Sequence, residues 1–138
     1  MKKEESRIEK VCFMNMCMIQ DDKGNVLALD KVNDSYTGTT FPGGHVEQNE
    51  IFQKSMIREV WEETGLTIET PKLCGLYHWH KGGVHYVITL YRADRFIGEL
   101  TSSEEGQVYW IPLEELKPKN WLQVWNYVLQ NLESEQVE

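Results

Sequence analysis

Gly44-His45-Val46-Glu47-Gln48-Asn49-Glu50-Ile51-Phe52-Gln53-Lys54-Ser55-Met56-Ile57-Arg58-Glu59-Val60-Trp61-Glu62-Glu63-Thr64-Gly65-Leu66 is the stretch whose reading decides this chain. Its last third carries Glu59, Glu62 and Glu63 at i, i+3 and i+4, the spacing that puts side chains on one side of a helix. At roughly 100° per residue, Glu62 and Glu63 fall within about 60° of Glu59. Phe52, Ser55 and Met56 project to that side in the earlier turns, so the face starts apolar or small and ends acidic. A solvated outer face does not have that pattern. The spacing predicts a helix from about Gln48 or Asn49 to Thr64 whose first half packs inward and whose second half borders a cleft.

Clustered like charges destabilise a helix, and anions near its C-terminus oppose the macrodipole by about 0.3–1 kcal/mol each. Hard divalent cations take oxygen ligands and would offset both effects. An ordinary acidic helix is the simpler reading of Glu-x-x-Glu-Glu alone, but the surroundings count against it. Pro42-Gly43-Gly44 marks a tight loop, and Gly65 stands where a helix C-cap glycine belongs. Arg58 adjoins the acids and can orient a carboxylate through charge-assisted hydrogen bonds.

Residues 44–66 resemble the signature of the Nudix (MutT-type) hydrolases, G-x5-E-x7-R-E-U-x-E-E-x-G-U with U aliphatic. All nine fixed positions are met, by Gly44, Glu50, Arg58, Glu59, Val60, Glu62, Glu63, Gly65 and Leu66. The signature covers about a sixth of the chain, and the flanking layout is similar to the family's over most of the rest. The resemblance implies an α/β (α+β) fold, an α/β/α sandwich with a mixed β-sheet between helices. It implies Mg²⁺, with Mn²⁺ as a substitute, held by the carboxylates of Glu59, Glu62 and Glu63 and the backbone carbonyl of Gly44. One of these acids takes the proton from the attacking water, and the family varies as to which. Glu50 and Arg58 are expected to tie the glycine loop to the helix. The family often draws a further acid from a late loop. Glu105 is the preferred candidate in Ser102–Gln107, ahead of Glu104, against the alternative of two solvated loop acids.

Size and composition agree with such a protein. A chain of 138 residues fits one domain, expected to span 1–138 with frayed tails at 1–9 and 134–138. A net charge of −8 argues against a broad grip on DNA or long RNA, but not against a small nucleotide brought in with a cation. Cys12, Cys17 and Cys74 have no metal-ligand spacing and an odd count, so they read as small core residues in a reducing cytoplasm. No signal peptide is visible, and no apolar run approaches the roughly 18 residues of a membrane span.

The chain outside the signature supplies strands. Val11–Ile19 is a buried strand, Asp21–Asn25 a hairpin turn and Val26–Leu29 the return strand, with Asp30–Thr40 a polar loop. Thr67–Thr70 and Lys72–His80 are strand segments. A hairpin closes at Gly82-Gly83 into His85–Arg92, and Gln107–Ile111 is a strand followed by a brief turn at Leu113–Leu116. Trp121, Val124, Trp125, Val128, Leu129 and Leu132 follow helical periodicity, with Asn120 as N-cap.

Several residues carry weaker signals. His45 is read either as a phosphate contact or as loop surface. Tyr36, Tyr77 and Trp79 have rings able to stack on a base, although core or rim packing is commoner. Asn126 and Asn120 can read a purine edge. His78 and His80 share a strand face with His85 across the hairpin, a set of types that can ligate zinc; a half-exposed polar face is the preferred reading, since no zinc-finger spacing accompanies them. Trp61 is assigned either to a homodimer interface or to the sheet.

The leading functional expectation is a Mg²⁺-dependent pyrophosphohydrolase acting on a nucleoside diphosphate linked to another group. Its first subclass cleaves a (d)NTP, or an oxidised purine dNTP such as 8-oxo-dGTP, to the monophosphate and pyrophosphate. An ADP-ribose or RNA 5′-end hydrolase is the alternative enzyme. A non-catalytic nucleotide-sensing module is the alternative of another class, disfavoured because such modules usually lose these acids.

Overall fold

The computed structural model describes residues 5–32 and 37–115. The expected helix over Trp121–Leu132, together with Tyr36, Asn120 and Asn126, lies outside the described residues. Within them, eight strands form three sheets around one α-helix, α1 (Phe52–Thr64). β1 (Lys10–Ile19), β6 (Val84–Ala93) and β5 (Lys72–Lys81) make a sheet in the order β1-β6-β5; β2 (Asn25–Val32), β3 (Thr37–Thr40) and β8 (Gly106–Pro112) make a second in the order β3-β2-β8; β4 (Thr67–Ile68) and β7 (Phe96–Ile97) pair as a short ribbon. β1 runs parallel to β6, whereas β5 runs antiparallel to it, so the first sheet is mixed as expected.

Alternation along β1 and β6 sends apolar side chains to both faces, which is why both read as nearly continuous apolar runs. Met16, Met18, Ile88 and Leu90 pack on one face with Val26, Phe41 and Cys74. Cys17, Ile19, Tyr91 and Ala93 pack on the other, against Met56 and Val60 of α1 with Leu27, Leu29 and Val108. The inner face of α1 is Ser55, Met56, Val60, Glu63 and Thr64, so it carries a carboxylate into the core side of the helix. Gly65 closes α1 in the left-handed conformation (φ 80°), its N–H donating to the Trp61 carbonyl at 2.9 Å.

Some expectations are corrected. α1 begins at Phe52, not at Gln48 or Asn49, because Asn49 adopts φ 66° and Glu50 folds its side chain back onto the Glu47 N–H at 2.9 Å. Phe52 is not an inward residue; it is 38% exposed and rests its ring on Phe13 at 4.8 Å. The turn after β1 forms, with Asp21 Oδ1 accepting the N–H groups of Lys23 and Asn25, but β2 leaves β1 after one bridge and joins the second sheet. The stretch Asp30–Thr40 is not all loop: β2 runs on to Val32 and pairs antiparallel with β3. Cys17 and Cys74 are buried, whereas Cys12 is only partly so. Trp61 is 59% exposed and does not lie on the sheet.

Candidate active site

The diglycine bend reaches the site as an added edge along β1. Cys17 N–H donates to the Pro42 carbonyl, Asn15 N–H to the Gly44 carbonyl and Val46 N–H to the Phe13 carbonyl, all at 2.8–2.9 Å. Asn15 fixes the bend a second time, its Oδ1 accepting the Gly44 N–H at 2.9 Å while its Nδ2 donates to Ser55 Oγ at 3.0 Å. Close approach explains both glycines. A Cβ on Gly43 would run into the Asn15 backbone carbonyl, and one on Gly44 would land on the Glu59 carboxylate. One lone pair of the Gly44 carbonyl is committed to β1, which leaves the other for a ligand.

Against this bend lie two acids withdrawn from water. Glu63 is 2% exposed and accepts the Gly43 N–H at 2.8 Å. Burial pushes its carboxyl up to about 8; the Gly43 hydrogen bond and the charge of Lys31 pull down, and the charges of Glu59 and Glu105 push up. Glu59, with 14% of its side chain exposed, is also raised, chiefly by burial, with Arg58 opposing and Glu62 and Glu105 adding. Glu62 is the outward member, 48% exposed.

Arg58 holds the acids and the loop in one network. Its Nε and Nη2 donate to the two oxygens of Glu50 at 2.7 and 2.9 Å, a bidentate pair. Its Nη1 donates to Glu59 and Glu62, each at 3.1 Å, and its Nη2 also reaches the His45 carbonyl at 3.1 Å. The Arg58 hydrogen bonds hold the Glu50 carboxyl down at about 2. Glu50 raises the guanidinium in return.

The structure thus brings Gly44, Glu50, Arg58, Glu59, Glu62 and Glu63 together, with Glu105 within electrostatic reach of Glu59 and Glu63. His45 is an exposed loop residue joined to the network through its carbonyl. Trp79 is not brought to the ridge. It stacks on Tyr86 with centroids 5.4 Å apart, on the β1-β6-β5 face opposite Asn15 and Cys17. Sequence reasoning missed Asn15 and Lys31. A lone amide in the apolar run Met14-Asn15-Met16 was a usable signal for the first; nothing local marks the second.

Hard oxygen donors, two of them desolvated and mutually repelling, fit a small divalent cation. Among the described residues no Lys or Arg stands in ion-pair contact with Glu63, and Lys31 acts on it only through its longer-range charge.

A mixed α+β fold that seats a helical carboxylate ridge against a diglycine bend defines a class that comparison identifies. The NUDIX domain family matches residues 15–132, and the chain belongs to that family, whose hydrolases act on pyrophosphate bonds and generally use divalent metal ions. It is 34% identical over 104 residues to a MutT-like protein of Streptomyces ambofaciens, covering 74% of this chain and 64% of that one. It is 35% identical over 108 residues to the uncharacterized Nudix hydrolase YvcI of Bacillus subtilis (strain 168), covering 73% and 66%. The chain therefore spans a little under two thirds of the length of these curated relatives. In fold it is similar to the crystal structure of the mutator MutT protein from Bacillus halodurans, with TM-score 0.79 at 24% identity over 91% of this chain and 85% of that one.

Proposed function

We propose that this chain is a Mg²⁺-dependent pyrophosphohydrolase of a nucleoside diphosphate-linked substrate, with Mn²⁺ able to substitute. The observation that carries the reading is the pairing of buried Glu63 and largely buried Glu59 with a bend that leaves no room for a side chain at Gly44. Glu59, Glu62, Glu63 and the free lone pair of the Gly44 carbonyl would hold the cation, and Glu105 would add a ligand from the loop before β8. A divalent ion bound there neutralises phosphoryl oxygens and lowers the pKa of a bound water. The chain's own contribution is placement: Arg58 and Glu50 fix the ridge against the loop, and the Gly43 N–H fixes the Glu63 carboxylate. One of the three ridge carboxylates accepts the proton of the attacking water.

The preferred substrate is a (d)NTP, or an oxidised purine dNTP such as 8-oxo-dGTP, cleaved to monophosphate and pyrophosphate. Likeness to a MutT-like protein supports it, as does 29% identity to a Danio rerio protein named oxidized purine nucleoside triphosphate hydrolase. A second reading, ADP-ribose hydrolysis, draws support from 27% identity to an ADP-ribose pyrophosphatase of Methanocaldococcus jannaschii. Free thiols at Cys12, Cys17 and Cys74 support a reducing, cytoplasmic setting. No helix among the described residues is long and apolar enough to cross a membrane.

The test is product analysis with Mg²⁺. Pyrophosphate released from 8-oxo-dGTP in excess of AMP released from ADP-ribose supports the first substrate, and the reverse supports the second. Nucleotide binding without turnover of either would overturn the enzymatic reading.

A further inference from the structure

The outer end of the β1-β6-β5 sheet gathers a second set of ligating side chains, outside the Arg58–carboxylate network. Val11 stands opposite His85 across the parallel β1–β6 pair, and His80 stands opposite His85 across the antiparallel β5–β6 pair. Alternation then places Glu9, His85, His80 and His78 on one face, in a row across three neighbouring chain segments. His85 Nδ1 lies 2.8 Å from Glu9 Oε2, and His80 Nε2 lies 3.4 Å from Glu9 Oε1. The His80 and His85 rings stack with centroids 3.9 Å apart. One ligand atom from each of Glu9, His80 and His85 falls within 4.8 Å of the other two.

We propose that Glu9, His80 and His85 form a zinc-binding site, with His78 hydrogen-bonded behind His85. Zinc bonds of about 2.0–2.2 Å to nitrogen and oxygen put tetrahedral ligand atoms roughly 3.4 Å apart, so the set closes once the His80 ring swings out of its stack on His85 and both nitrogens face one ion. Two imidazoles and one carboxylate are borderline donors that suit Zn²⁺ and poorly suit Mg²⁺. The fourth partner is what separates this row from a chance surface pairing. His78 Nδ1 lies 2.9 Å from His85 Nε2, where a ring bound through Nδ1 would donate its remaining N–H and be held in one tautomer. With 66% of the His80 side chain and 50% of the Glu9 side chain exposed, solvent reaches the site and water takes the open coordination position. The bound ion would brace the chain before β1 against the β5–β6 hairpin.

The test is calorimetric titration of the full chain with Zn²⁺ in excess Mg²⁺, near pH 7.5, where free imidazoles are mostly neutral. Wild type is expected to bind one Zn²⁺ at this site and to gain thermal stability from it. His80→Ala and His85→Ala should abolish that binding, and His78→Ala should weaken it about 10–100-fold. Glu59→Gln should leave it unchanged. Circular dichroism checks that each variant is folded. Absence of saturable zinc binding would overturn the proposal, and so would zinc binding that survives His85→Ala but is lost in Glu59→Gln.

Discussion

The carboxylate ridge of α1 and the imidazole row of β5–β6 are both clusters of ligating groups, and they differ in how each is solvated and held. On the ridge, Glu63 is 2% exposed and its carboxyl is pushed up to about 8 by burial. On the row, the His80 and Glu9 side chains are open to water while His85 between them is largely covered, and Glu9 is lowered by its hydrogen bond to His85. The ridge withdraws like charges from solvent, so the fold must hold them there through Arg58, Glu50 and the Gly43 N–H. The row needs only strand register. A cluster kept despite that electrostatic cost is the better candidate for chemistry, and one that costs little to keep suits a brace.

Six substitutions sharpen this contrast, from the largest expected effect downward. Glu59→Gln should lower Mg²⁺-dependent pyrophosphate release by about 10²–10³-fold or more while the near-ultraviolet dichroism stays native, since a preorganised charged group is lost without loss of packing. Arg58→Ala should cut activity less but remove about 2 kcal/mol of stability in urea unfolding, because Glu50 and Glu59 lose charge-assisted bonds together. Arg58→Lys should recover only part of that loss, since a single ammonium does not reproduce the fork.

Arg58 also sets a pH signature. The folded carboxyl of Glu50 lies near 2, below its ordinary 4.5. A group depressed on folding contributes stability above its unfolded pKa and loses it as pH falls through the folded value. Acid unfolding between about pH 4.5 and 2 should therefore include a Glu50 component in wild type that is missing from Arg58→Ala.

The two glycines divide next. Gly44→Ala meets the movable end of the Glu59 side chain, so activity should fall at least about tenfold with a stability loss under about 1 kcal/mol. Gly43→Ala meets the Asn15 backbone, which cannot yield, and should cost about 1–3 kcal/mol in the same unfolding assay. Smallest of all, His85→Ala should change pyrophosphate release by less than about twofold, since its side-chain partners are Glu9, His78 and His80 and not the Arg58–carboxylate network. A large loss there would erase the distinction between the two clusters.

How much of this could be read beforehand follows the distance along the chain between partners. Arg58, Glu59, Glu62 and Glu63 lie on one helix, so spacing alone placed them together; Glu50, on the preceding loop, was joined to Arg58 by the family resemblance. Asn15 reaches Gly44 across 29 positions, and Glu9 reaches His85 across 76; only the β1–β6 pairing brings the latter two into contact. The polar run Asp30–Thr40 looked like loop because β3 is short and rich in Thr, with its stability coming from pairing to β2 rather than from an apolar pattern. The start of α1 was misplaced by a turn because Glu50 belongs to the Arg58 network and not to the helix.

Cation binding at the ridge tests the account most directly. Mn²⁺ titration followed by electron paramagnetic resonance would count bound ions in wild type and in Glu59→Gln/Glu63→Gln, with both shown to be folded and zinc kept out. Saturable binding in wild type, competed by Mg²⁺ and lost in the double variant, is the predicted result. Equal binding by both proteins would contradict it.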